Sequence, residues 1–173
     1  MRKLVLPALL AGLFGRLAHA GGMELTVEIP RLEVSEYHRP YVAIWLERPD
    51  QQAVADLAVW YDVAKKNNEG TEWLKDMRQW WRRSGRTQQF PVDGVSGATR
   101  PAGRQVLRFD ANAAPLATLQ PGAYVLAVEA AREVGGRELV RIPFDWPPRQ
   151  PQPQPLRASG EHELGEIAMK LQP

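Results

Sequence analysis

The stretch Tyr41-Val42-Ala43-Ile44-Trp45-Leu46 restricts the possible folds more than any other part of the chain. In an extended strand, successive side chains point to opposite faces. Tyr41, Ala43 and Trp45 therefore share one face, and Val42, Ile44 and Leu46 share the other. Both faces are apolar, so residues 40–47 predict a central strand. Leu25, Val27 and Ile29 alternate with polar residues over 24–33, and Pro30 marks an edge or a strand end. Val54 to Asp62 follows the turn Pro49-Asp50-Gln51-Gln52 and pairs back as a hairpin. Arg104 to Phe109, Gly122 to Glu129 and Leu139 to Phe144 also predict strands, the last two joined at Gly135-Gly136. Glu163 to Leu171 predicts a final strand, with Ile167, Met169 and Leu171 on one face. Trp146 to Pro155 is too rich in proline to join a sheet and predicts a polyproline-like connector. Short strands with regular turns point to a mostly β fold, an antiparallel β-sandwich.

One helix is predicted beside the strands. Thr71 is its N-cap, Glu72 lies in the first turn, and Gly85 stops it. Trp73, Leu74, Met77, Trp80 and Trp81 fall on one apolar face. Such a face packs a helix onto a sheet, and an exposed indole on it would also suit stacking on a flat ring.

The chain begins Met1-Arg2-Lys3, continues with an apolar run from Leu4 to Gly15, and reaches Ala18-His19-Ala20. That is the order of a secretory leader, with cleavage expected after Ala20. The apolar run is too short to span a bilayer comfortably. The expectation is a single domain over 21–173, soluble in the periplasm and not membrane-spanning once matured. Loss of Arg2, Lys3 and Arg16 with the leader would turn the formal net charge from +2 to −1, because the leader has no acidic residue. Nucleic-acid binding then has no global electrostatic support. Cysteine is absent, which excludes disulfides, thiolate metal sites and Cys-linked haem or flavin. The three histidines lack metal-ligand spacing, and no Ser-His-Asp set is readable. Neither a catalytic residue nor a metal site is assigned.

Residues Val92 to Pro101 have neither helical nor strand periodicity and are dense in small, turn-forming residues. They predict a tight, accessible loop ending in one hydroxyl, Thr99, with Asp93 six residues upstream. The run Asp93-Gly94-Val95-Ser96-Gly97-Ala98-Thr99 resembles the acceptor motif of proteins that receive covalent FMN. The resemblance implies a partner, an FAD:protein FMN transferase, that joins FMN to Thr99 as a phosphoester. Ser96, Gly97 and Ala98 are small enough to let the loop enter another enzyme's active site. The alcohol is a weak nucleophile, so base and metal would come from that enzyme. Arg100 is placed to neutralise the resulting phosphodiester.

The resemblance extends over most of the remaining chain. Pro101-x-Gly103, Phe109-Asp110, Pro121-Gly122-x-Tyr124 and Val128-Glu129 look like the immunoglobulin-like domain of flagellar hook-capping proteins, with Phe109-Asp110-Ala111 in place of that pattern's Trp-Asp-Gly. A fuller likeness is to predicted periplasmic proteins termed domain of unknown function 2271. It is carried by Tyr37-His38-Arg39-Pro40-Tyr41, Trp73-Leu74 with Trp80-Trp81, Ser96 to Pro101, and Glu129-Ala130-x-Arg132-Glu133. It implies an immunoglobulin-like sandwich and an association with FMN transferases and PepSY-type membrane proteins.

His38 and Arg39 lead into the central strand, where they could serve a flavin edge and a phosphate or only shape the loop. Glu129, Arg132 and Glu133 read as a surface ion-pair set. The expected function is an exported electron-transfer module with FMN on Thr99. The alternative is a cofactor-free periplasmic immunoglobulin-like binding or assembly protein.

Overall fold

A computed structural model describes residues 21–173, so the leader expected over 1–20 lies outside the described residues. Two sheets face each other. One has the order β5-β1-β9-β8, with β1 Gly22–Ile29, β5 Gly103–Asp110, β8 Leu156–Ser159 and β9 Glu166–Gln172. The other has the order β4-β3-β2-β6-β7, with β2 Tyr41–Glu47, β3 Ala53–Tyr61, β4 Ser96–Ala98, β6 Gly122–Ala131 and β7 Arg137–Trp146. All pairings are antiparallel except β3 with β4. The architecture is a mostly β sandwich with one packed helical segment.

The two-faced pattern of β2 accounts for this arrangement. Val42, Ile44 and Leu46 enter the core between the sheets, with Leu25, Val27, Leu126, Val128, Ile167 and Met169. Ala43 and Trp45 enter a second core with Val59, Tyr61, Leu74, Met77 and Trp80. The five-stranded sheet is thus covered by the other sheet on one side and by the helical segment on the other. Burying apolar surface on both faces makes β2 central, as its alternation predicts. Pro30 follows the end of β1, which lies inside its sheet. Residues 147–155 contain no helix or strand.

The helical segment departs from the predicted helix over 71–85. A 3-10 segment spans Lys66–Asp76, and an α-helix, α1, covers only Arg78–Arg83. Met77, at φ −77 and ψ 72, breaks the two apart. Thr71 is not a cap: its hydroxyl donates to the Asn68 carbonyl. Leu74, Met77 and Trp80 are buried at a spacing of three, while Trp73 is 47 % exposed. The tighter 3-10 turn over Leu74 and the break at Met77 interrupt the 3.6-residue period, and Trp73 falls outside the apolar stripe.

The predicted Gly135-Gly136 hairpin joins β6 to β7, with Arg132 N–H donating to the Gly136 carbonyl and Gly135 N–H to the Arg132 carbonyl. On β7, Glu138 gathers the loop before β9, accepting from the backbone N–H groups of Glu161, His162, Glu163 and Leu164 at 2.5–3.1 Å. Burial pushes its carboxyl up, but the four donors outweigh burial and hold it below the ordinary value of 4.5. A depressed carboxylate contributes stability above its unfolded pKa and loses it as pH falls through the folded one. Glu138→Gln should therefore cost about 1–2 kcal/mol at neutral pH. The gap between wild type and variant should close as pH drops below 4.5, read by urea unfolding at several pH values. A gap independent of pH would contradict the assigned role.

Candidate functional site

The start of β2 and the ends of β3, β4 and β6 lie at one end of the five-stranded sheet, as their pairing directions require. A cavity of about 520 Å³ opens there, under the 3-10 segment. Its lining comes from five places. His38, Arg39 and Tyr41 lead into β2, and Asp62 follows β3. Lys65 leads into the helical segment, which supplies Trp73 and Asp76. Thr99 follows β4, and the β6–β7 hairpin contributes Ala131 to Val134. Such a volume lies in the usual range for small-molecule sites.

The expected loop over 92–101 is only partly a loop. Val92 to Val95 turn, but Ser96–Ala98 form β4, an edge strand parallel to β3. Local alternation cannot signal such a strand, because it is three residues long and made of small side chains. Val59 N–H donates to the Val95 carbonyl, and Thr99 N–H to the Tyr61 carbonyl at 3.1 Å. Thr99 is half-buried rather than fully exposed, and it lies one residue beyond the ladder.

Of the cofactor-binding residues expected from the sequence, Thr99, His38 and Arg39 meet at the cavity, and Trp73, Arg132 and Glu133, named there in other roles, join them. The others of the Asp93 to Arg100 run are outside its lining. Asp93 is exposed in the preceding turn. Ser96 Oγ accepts the Val92 N–H at 2.9 Å and shapes that turn. Gly97 lies against the Trp60 indole, where a Cβ would still fit at 3.5 Å. Ala98 pairs with Tyr61. Arg100 lies over the Trp60 ring, 5.4 Å from its centroid. Sequence reading missed Tyr41, Asp62, Lys65, Asp76 and Val134 as lining residues. They are scattered in the chain, and only topology assembles them.

The electrostatics are mixed. His38 Nε2 is 2.9 Å from Glu36 and its Nδ1 is 3.6 Å from Glu133. Arg132 is bound to Glu163 on the far side of the hairpin, at 2.8 Å. Lys65 Nζ lies 6.0 Å from the Trp73 centroid. Burial pushes the Tyr41 phenol above its ordinary value, so it remains a neutral hydrogen-bonding group at physiological pH. Val134 is 76 % exposed and has φ 53. A β-branched residue in the left-handed region costs about 1–2 kcal/mol.

Glu129, Arg132 and Glu133 are not the surface ion-pair set the sequence suggests. Glu129 is fully buried, and its carboxylate accepts the N–H groups of Gln79 and Trp80 at 2.8–3.1 Å. Burial raises its pKa, opposed by those donors and by Arg137 and Arg83. Arg132 is half-buried, with its side chain only 7 % exposed beside Glu163, and only Glu133 is exposed. Glu129 thus ties α1 to β6 and fixes the helical segment that carries Trp73.

Among the described residues, no group of three or more His, Asp or Glu is placed to hold a metal ion. No helix there is long and apolar enough to cross a membrane. A family model described as a predicted periplasmic protein (DUF2271) matches residues 22–166. No curated protein and no solved structure matches the chain. The sandwich, and the convergence of His38, Arg39, Tyr41, Trp73, Thr99, Arg132 and Glu133 at one cavity, thus belong to a member of the DUF2271 family of predicted periplasmic proteins.

Proposed function

We propose that this protein is an extracytoplasmic flavoprotein that carries FMN as a phosphoester on Thr99 and serves as an electron-transfer module on an immunoglobulin-type sandwich. The observation that carries the reading is that Thr99, at the end of an Asp-x-x-Ser-Gly-Ala-Thr run, lines the same cavity as His38, Arg39 and Trp73. The residues present fit the group. A hydroxyl stands at the wall, Arg39 and Lys65 are cations for a phosphate, and Trp73 offers an aromatic face. When bound, the flavin supplies one- and two-electron transfer, while the chain holds it and excludes or admits water.

Attachment is a phosphoryl substitution. The Thr99 oxygen bonds to the FMN phosphorus of FAD. The anhydride bond from that phosphorus breaks, AMP leaves, and the hydroxyl proton passes to a base of the FAD:protein FMN transferase. No electrons are gained or lost. Access to Thr99 is favoured because β4 is a three-residue edge strand, and short edges open at low cost. A PepSY-type membrane redox protein is the partner that the resemblance implies.

The chain should be produced with a transferase and FAD, and its intact mass measured. Wild type should gain one FMN less water and turn yellow. Thr99→Ser should retain the gain and Thr99→Ala should lose it completely. The same spectrum reads the leader, since cleavage after Ala20 leaves Gly21 first. A colourless, unmodified chain beside an active transferase would reject the flavin reading and leave a cofactor-free binding or assembly protein.

A further inference from the structure

We propose that Trp73 is the stacking partner of the flavin ring, which sits in the 520 Å³ cavity beside Thr99 rather than hanging in solvent. The inference rests on the flavin reading and adds the seat to it. Two features of the cavity mouth are unfavourable to the protein alone. Trp73 exposes an indole on a segment whose Leu74, Met77 and Trp80 are fully buried and whose Trp81 is half-buried against the same core. Val134 exposes a β-branched side chain while held at φ 53, where Gly or Asn would relieve the backbone. Both line one cavity, from two different elements. Exposed apolar groups and strained backbone gathered at a concave site indicate a ligand that covers them.

The ligand's chemistry follows from the rest of the wall. An aromatic face with an apolar neighbour suits a flat conjugated ring. Neutral Tyr41 offers a hydroxyl for a polar ring edge. His38 and Arg132 already have carboxylate partners, so among the described lining residues Arg39 and Lys65 are the cations without a carboxylate partner, placed to meet an anionic group. Thr99 supplies the tether at the wall itself, so the ring needs no long reach. The cavity is also held rigid. Glu129 binds the backbone at Gln79 and Trp80 and fixes the segment after Trp73, and the Arg132–Glu163 pair fixes the hairpin that presents Val134.

The test uses the full chain, flavinylated by co-production with a transferase, as wild type, Trp73→Ala, Trp73→Phe and Val134→Asn. Intact mass reads attachment. Flavin emission and its quenching by iodide read the seat. An indole in contact with a flavin quenches its emission by electron transfer. Wild-type emission should therefore lie well below that of free FMN at equal absorbance. Trp73→Ala should raise emission about fivefold, the population change expected on losing one aromatic stack. It should also increase iodide quenching. Trp73→Phe should raise emission while keeping much of the iodide protection, and Val134→Asn should weaken that protection with Trp73 intact. Trp73 is exposed, so its removal leaves the core packed and unfolding is not expected. If FMN is attached but wild type emits like free FMN, or if emission and iodide access are unchanged in Trp73→Ala, the seat is wrong and the attachment stands. If no FMN mass is gained, the flavin reading itself fails, and the seat with it.

Discussion

Glu163→Ala should lower the unfolding free energy by about 3–5 kcal/mol. Glu163 and Arg132 are only 5 % and 7 % exposed, and they pair through two contacts, 2.8 Å and 3.0 Å. The carboxylate also accepts the Gly136 N–H at 2.7 Å. Truncation would leave a buried guanidinium without its counter-charge and a backbone donor without an acceptor. Removing one partner of a buried pair costs far more than the pair contributes over an apolar replacement. The double variant Arg132→Met, Glu163→Leu should accordingly recover most of the loss. The site also accounts for the two glycines. A Cβ on Gly135 would meet the Arg132 guanidinium carbon at 2.4 Å, and one on Gly136 would meet Glu163 Oε1 at 3.0 Å. Urea unfolding of the two single variants and the double variant measures the coupling. A Glu163→Ala loss below about 1 kcal/mol would place the pair among ordinary surface bridges and refute this account.

Alternation made β2 legible because each of its faces meets a different apolar layer, and six residues suffice to show it. The Gly135-Gly136 hairpin was legible as a turn, but the close approach to Arg132 was not, since that depends on Glu163 returning from the other end of the chain. The helical segment was misread because a 3.6-residue period and a period of three agree over one turn and then diverge. Trp73 is where they part. Glu129 looked like a surface charge because its partners are backbone N–H groups, which no sequence displays. Thr99 was singled out in the sequence through its motif. Its cavity was not, because the lining comes from residues as far apart as His38 and Val134. Motif reading thus picks out single groups, while the pairing directions of four strands decide which of them meet.

Trp80→Ala should cost about 3–5 kcal/mol, the range for emptying a large aromatic site in a packed core. Trp80 is fully buried at the centre of the second core. Its ring lies 5.7 Å from Phe90 and 6.1 Å from Trp81, centroid to centroid. Its indole Nε1 donates to Asp56 Oδ1 at 2.9 Å, and the other Asp56 oxygen accepts from Ser84 Oγ at 2.6 Å and from Gln88. Gly85 is part of the same fit, because a Cβ there would meet the indole at 2.7 Å. Alanine would remove the ring contacts and one partner of Asp56 together. Trp80→Phe separates the two effects: it keeps most of the apolar volume but loses the N–H, and should cost about 1–2 kcal/mol. The position also couples stability to the site. Leu74, Met77 and Trp80 are buried contacts that hold the helical segment over the sheet, and that segment carries Trp73 to the cavity. In protein flavinylated as proposed, Trp80→Ala should therefore raise flavin emission and iodide access even below the unfolding transition, as expected for Trp73→Ala but through loss of positioning. Trp80→Phe should leave both near wild type. Equal emission changes in the Ala and Phe variants would show that packing at Trp80 does not position Trp73.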